Sequence, residues 1–174
     1  MRRAFTLIEM MVSITIFSLV VLLLYRSYAS LERSNAKYHQ KERYIEHLFR
    51  IKRMFYLDFS LVLDENLSVL PQQNGRDVVL LQTSNSLHDR IDPYVAYVVK
   101  NETLYRIESL QPLKSYPFGA DVGGDVDEVA KVRRFRVYKA LKKENNATRS
   151  LFLIDCVTRE GEHILYKIAA LNQY

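Results

Sequence analysis

The first 70 residues contain neither proline nor glycine; the first breakers are Pro71 and Gly75. The chain has no tryptophan and a single cysteine, Cys156, so an intramolecular disulfide is excluded. Cys156 lies in the apolar run from Leu151 to Val157 and reads as a buried core thiol. His39 and His47 stand eight apart on a helical stretch, too far for one metal, and no cysteine or histidine cluster accompanies them. Gly-x-Ser-x-Gly, Walker and dinucleotide-binding patterns are all missing, so an enzyme is not expected. The formal charge is only +5, and no helix-turn-helix, zinc-finger or RNP-like pattern occurs. Nucleic acid is therefore not an expected partner, and neither is a small-molecule substrate.

What is present begins with length and continuity. The 174 residues hold one globular domain plus an extension. From Phe5 to Leu24 the chain is apolar except for Thr6, Glu9, Ser13, Thr15 and Ser18, enough to cross a hydrocarbon core. From Tyr25 the character changes. Ile45, Leu48, Ile51 or Met54, Phe55, Phe59 and Val62 recur at three to four residues, among Arg33, Lys37, Lys41, Arg43, Arg50, Lys52 and Arg53. One helix over residues 5–62 would be roughly 85 Å long, more than a compact domain of this size contains.

The remainder reads as strands with turn punctuation: Val78–Leu81, Tyr94–Val99, Thr103–Ile107, Val132–Leu141, Leu151–Val157 and Ile164–Ala169. Lys100-Asn101-Glu102, Glu144-Asn145-Asn146 and Arg159–Glu162 are the turns. Phe135, Val137 and Leu141 are expected on one face, and Tyr94, Tyr97, Tyr105 and Tyr138 as half-buried strand residues. Gly119 to Glu128 is the expected long loop. Its carboxylates Asp121, Asp125, Asp127 and Glu128 are a weak calcium candidate, without EF-hand spacing. No other cofactor is expected. The fold class is α+β, a long helix followed by an antiparallel meander.

Arg2 and Arg3 before an apolar run also suit a secretory signal, with Ser27-Tyr28-Ala29 as a passable cleavage site. Arg26 inside that site, the length of the run and Glu9 within it oppose this reading. A carboxylate in the bilayer is costly and points to function.

Met1-Arg2-Arg3-Ala4 followed by Phe5-Thr6-Leu7-Ile8-Glu9-Met10-Met11-Val12 resembles the processing site of the type IV pilin and pseudopilin family. The resemblance covers residues 1 to about 30. It implies a leader of residues 1–4, cut between Ala4 and Phe5 by a prepilin peptidase, with N-methylation of Phe5. Ala4 departs from the family's usual glycine. Removing the leader leaves 23 basic against 20 acidic residues, a charge of +3. The implied organisation is a transmembrane part of the helix at 5–25, an amphipathic periplasmic part at 26–63 and a β-rich periplasmic domain at 64–174. Glu9 is implied to pair with a neighbour's α-amine during assembly.

The resemblance further implies a pilin-like fold and partners among other pilins or pseudopilins, together with the peptidase and the inner membrane. The protein would be single-pass, with its N-terminus cytoplasmic. Arg26, Arg33 and Lys37 follow the span, against the usual bias of basic residues to the cytoplasmic side. The phrase Val98–Glu108 is similar to a J-type minor pseudopilin of type II secretion, an assembly subunit near the tip of a periplasmic pseudopilus. The K-type is disfavoured because it typically lacks a glutamate where Glu9 stands. The alternatives are a minor pilin of a type IV pilus (adhesion, motility or DNA uptake) and, from a different class, a signal-anchored periplasmic enzyme.

Overall fold

The computed structural model describes residues 6–72, 74–118, 123–144 and 147–171. One helix, α1 (Leu7–Ser60), precedes seven strands: β1 (Val62–Leu70), β2 (Val78–Thr83), β3 (Tyr94–Lys100), β4 (Thr103–Ser109), β5 (Asp125–Glu144), β6 (Ala147–Thr158) and β7 (His163–Ala169). The strands pair antiparallel in the order β1-β2-β3-β4-β5-β6-β7, a meander with no crossover. This is the expected α+β, pilin-like outline.

The chain divides into two compact units, Met1–Leu48 and Phe49–Tyr174. The described part of the first is helix alone. Its apolar side chains from Leu7 to Leu24 are exposed, most of them by more than half. A helix apolar on all sides and covered by nothing is built for lipid rather than water. The structure thus has one helix long and apolar enough to cross a membrane.

In the second unit the last turns of α1 pack on the sheet. Ile51, Phe55 and Phe59 are buried, Phe55 and Phe59 completely. Phe55 and Phe59 sit 5.4 and 6.0 Å from Tyr97, Phe55 6.0 Å from Phe135, and Phe59 5.5 Å from Phe152, ring centre to ring centre. Such aromatic packing adds about 0.5–1.5 kcal/mol per pair beyond area burial. Ile45 was expected in this stripe but is half exposed, because it precedes the part of the helix that belongs to this unit. Val62 is buried as expected, but as the first residue of β1 rather than in the helix. The helix thus ends at Ser60, short of the expected residue 63.

The opposite face of the sheet is covered too. Val78, Leu80, Ala96 and Val98 pack there with Leu113 from the segment after β4, flanked by Leu70, Tyr94, Ile107 and Phe118. Burial on both faces explains why β2 and β3 read as near-continuous apolar runs instead of alternating. The β3–β4 hairpin turns on Asn101 and Glu102, both at positive φ (50° and 61°), the signature of a type I′ turn whose twist suits two antiparallel strands.

Three strand details differ from expectation. β5 is 20 residues long and starts at Asp125; its first part pairs with β4, its second with β6. The 119–128 segment is therefore not all loop. Phe135 and Val137 are buried, but Leu141 is exposed, as is Lys139 before it, so the helix-side cover ends after Val137. Tyr97 is wholly buried rather than half-buried, while Tyr138 is about half exposed. Cys156 is buried as expected, and desolvation pushes its thiol up to about 12. The turn residues Asn145 and Asn146 lie outside the described residues.

Phe55→Ala should cost about 3–5 kcal/mol of unfolding free energy, whereas Ile45→Ala should change it by less than ~0.5 kcal/mol. Denaturant unfolding of the detergent-solubilised chain, followed by near-ultraviolet circular dichroism, distinguishes the two.

Candidate functional site

Ala4 and Phe5 lie outside the described residues; Thr6 and Glu9 stand at the head of α1. The Thr6 backbone N–H donates to Glu9 Oε2 at 2.9 Å and the Thr6 hydroxyl donates to the same oxygen at 2.8 Å. In return, the Glu9 N–H donates to Thr6 Oγ1 at 3.4 Å. Thr6-Leu7-Ile8-Glu9 is thus a capping box, in which the N-cap hydroxyl and the glutamate each satisfy a donor that the first turn leaves unpaired. The pattern was readable as T-x-x-E, yet Glu9 signals a partner in another chain before it signals a cap. Both bonds fall on Oε2, and among the described residues Oε1 accepts none. One oxygen holds the local helix start, and the other is left without a bond to the described residues.

A second polar centre carries no motif. Asp58, in the last turn of α1, is fully buried, as are Tyr97 on β3 and Arg106 and Glu108 on β4. Arg106 Nε and Nη2 donate to the two Asp58 oxygens at 2.8 and 3.2 Å, and Nη1 donates to Glu108 at 2.6 Å. Nη2 also reaches the Asn85 carbonyl at 3.3 Å. The Tyr97 hydroxyl donates to Asp58, the Asn85 amide donates to it at 2.6 Å, and Glu108 accepts from the Ser86 hydroxyl and the Leu87 N–H. Every member of the cluster is therefore bonded, which is what a buried polar network requires.

A carboxylate in the last turn of a helix opposes the helix dipole, and Arg106 offsets it. Burial, and then the Asp58 carboxylate, push the Tyr97 phenol well up, so it stays a donor. Burial alone would raise Glu108, but bonds from Ser86, Arg106 and the Leu87 N–H outweigh it and hold the carboxyl below its ordinary value. With its charges locked together and no exposure, the cluster is a structural pin rather than a reactive site.

The expected acidic set is split by the fold. Asp121 lies outside the described residues, and Asp125, Asp127 and Glu128 stand on β5. Arg90 bonds Asp125 and also donates to the Glu108 carbonyl at 2.9 Å. His88 Nε2 lies 2.9 Å from Asp127 and Nδ1 lies 4.0 Å from Asp125. Arg90 and His88 of the β2–β3 connection thus already engage two of the carboxylates, and Glu128 follows Asp127 on the opposite face of the strand. Among the described residues no three metal-ligating side chains converge. His39 contacts Glu42 at 3.3 Å and His163 contacts Asp155 at 2.8 Å.

Residues 1–25 match the prokaryotic N-terminal methylation motif. No curated protein and no solved structure matches the chain.

Two outcomes follow, one from the buried network and one from the His88–Asp127 contact. Arg106→Leu leaves two buried carboxylates without their counter-charge and should cost about 3–5 kcal/mol by denaturant unfolding. Donating a hydrogen bond from Nε2 to the Asp127 carboxylate raises His88 above the ordinary histidine value. Its contribution is therefore fully present below that ordinary value and is lost as pH rises through the raised one. The stability gap between wild type and His88→Ala should be widest near pH 5.5 and shrink by pH 8.5, measured by thermal unfolding across that range.

Proposed function

We propose that this chain, whose first 25 residues match the prokaryotic N-terminal methylation motif, is a type IV pilin-like protein and a minor pseudopilin of a type II secretion system. In this reading it is a membrane-anchored assembly subunit near the tip of a periplasmic pseudopilus, which supports protein export. The observation that carries the reading is Glu9 at the head of a bare apolar helix, inside the matched segment of residues 1–25. The single cysteine and the long meander favour a minor subunit. The Val98–Glu108 phrase, which forms the β3–β4 hairpin, favours the J-type.

The mechanism is a sequence of charge changes. A prepilin peptidase cuts between Ala4 and Phe5, removes Arg2 and Arg3, and methylates the new α-amine. That amine is cationic at neutral pH. Glu9 of an adjacent subunit accepts from it in the bilayer, where an unpaired carboxylate costs several kcal/mol. The pairing fixes the axial register between neighbouring helices, whether the neighbour is a pilin or a pseudopilin. The β-rich unit lies on the periplasmic side and presents the subunit's own surface.

Intact-mass analysis of the membrane-extracted protein should show loss of residues 1–4 and one added methyl group. A mature start at Ser30 would replace this reading with a secretory signal. Glu9→Gln is the informative variant, because a capping box accepts glutamine and the helix start survives. Leader removal should persist while copurification with filament partners falls on the order of tenfold or more, the worth of one charge-assisted bond. If Glu9→Gln copurifies and supports export as wild type does, the charge pair is not the assembly device.

A further inference from the structure

The two edges of the sheet are unlike. β1, at one edge, slips register between Leu63 and Ser68, the kind of irregularity that blunts an edge against further pairing. β7, at the other, pairs with β6 without a break from His163 to Ala169. Two bonds at the ends of that ladder show which way its backbone groups point. The Thr158 N–H donates to the Glu162 carbonyl and the Ala170 N–H to the Ser150 carbonyl, both at 2.9 Å. Hydrogen-bonded pairs alternate with unbonded ones along an antiparallel ladder. Ile164, Tyr166 and Ile168 therefore bond to β6, and the N–H and C=O groups of His163, Leu165, Lys167 and Ala169 face away from it. Among the described residues no strand lies beyond them.

A groove of about 400 Å³ runs beside this edge. Phe49, Lys52, Arg53 and Tyr56, one stripe at helical spacing on α1, form one wall, and Leu165 and Tyr166 belong to the other. Tyr56 and Tyr166 lie 6.5 Å apart, ring centre to ring centre. Phe49 is 67% exposed, Leu165 59% and Tyr56 44%, so large apolar side chains gather in water beside an open strand. Lys52, Arg53 and Lys167 are exposed cations, and among the described residues no carboxylate lines the groove. His163 is already held by Asp155 at 2.8 Å. A regular, partly apolar edge invites another strand. Its cations oppose a basic strand and make an acidic one the complement.

We propose that the open edge of β7 takes up an extended segment of another protein as an added strand, a segment in which acidic residues flank an apolar centre. The residue opposite Leu165 is apolar. So are its two neighbours, whose side chains point to the other face of the sheet, where Phe49 and Tyr56 line the groove. Acidic residues on either side answer Lys167 on the strand and Lys52 and Arg53 on the helix wall. Main-chain bonds to Leu165 and Lys167 supply affinity while the groove selects side chains, the division of labour in strand addition. A second copy of this chain is the poorer occupant: its β1 edge is interrupted, and its β7 edge carries the same cations. The apolar span takes no part, so the proposal does not rest on the secretion reading.

The test uses the full chain in detergent and a dye-labelled, end-capped peptide, Asp-Glu-Val-Ile-Val-Glu-Asp, read by fluorescence anisotropy. Saturable binding is expected. A peptide with lysine in place of the acids should bind about fivefold more weakly or worse, from exposed pairs at about twofold each plus repulsion. Lys52→Glu/Arg53→Glu should weaken the acidic peptide by a similar factor. Methylating alternate backbone nitrogens of the peptide separates strand addition from charge alone: one alternate set should abolish binding and the other should leave it unchanged. Leu165→Pro removes an edge donor that β6 does not use, a position where an edge strand tolerates proline, and should also abolish binding. If that variant unfolds, the methylated peptides on the wild-type chain still decide. Absence of saturable binding, or equal loss from both methylated sets, overturns the proposal. A wild-type dimer that Leu165→Pro converts to a monomer, with no peptide bound, also overturns it and assigns the edge to a second copy. Leader removal, read by intact mass in the same preparation, tests the secretion reading separately.

Discussion

The structure turns on the bidentate contact between Arg106 and Asp58. It sits where the last turn of a helix that is bare at its other end meets a twisted meander. Hydrophobic burial of Phe55 and Phe59 supplies most of the free energy there, yet apolar packing tolerates sliding by a fraction of a turn. A buried fork of two hydrogen bonds does not. With Glu108, Tyr97 and the 85–87 backbone completing the set, the helix end is fixed in rotation as well as in depth. A buried ion pair often gives little net stability over an apolar replacement, and its better-attested use is to specify one arrangement. Specificity is what a junction between two such different elements needs.

The network also explains how a continuous helix can serve two solvents. Residues from Leu7 to Leu24 gain nothing from water and carry no protein cover. Within the second unit, the stretch from Phe49 to Ser60 anchors the end of α1 to the sheet through Ile51, Phe55 and Phe59. The helix ends without a glycine. The Ser60 and Leu61 carbonyls accept instead from the Leu171 and Ser84 N–H groups, so neighbouring segments satisfy the free helix end. Asp58 and these carbonyls all lie within the last turn or just past it, which concentrates the attachment in a few residues.

The helix, six of the seven strands and the antiparallel order were legible because periodicity and turn chemistry agreed there. The missed strand, β1, fails for a local reason. Asp64-Glu65-Asn66 interrupts the apolar alternation between Val62 and Leu67, where the register of β1 on β2 slips between Leu63 and Ser68. A bulge of this kind erases the period on which strand reading relies. Glu9 was legible because a carboxylate in an apolar run is conspicuous. Asp58, Arg106 and Glu108 were not, since a lone acid on a polar helix and a charged pair inside a strand look like solvated residues. Only the register brings them together, and no spacing in the sequence announces it. The same limit applies to Asp125 and Asp127: their run suggested a loop for cations, and their partners prove to be Arg90 and His88 from a segment 35 to 39 residues away.

Charges in this chain stand in three costly settings, and the relief differs in each. Asp58 is desolvated and on the wrong end of a helix dipole, and Arg106 answers it inside the same unit. Glu9 lies in an apolar span; the capping box answers one oxygen and leaves the other open. Arg33, Lys37 and Lys41 repel one another along an exposed helix face, where no carboxylate among the described residues pairs with them and water and salt screen them. The first setting is complete in one copy and therefore belongs to folding. The second is incomplete in one copy, and the proposed pairing with a neighbour's α-amine would complete it. A carboxylate left half satisfied in an apolar span costs the single chain free energy, and the proposed pairing of Glu9 with a neighbour is what would recover it.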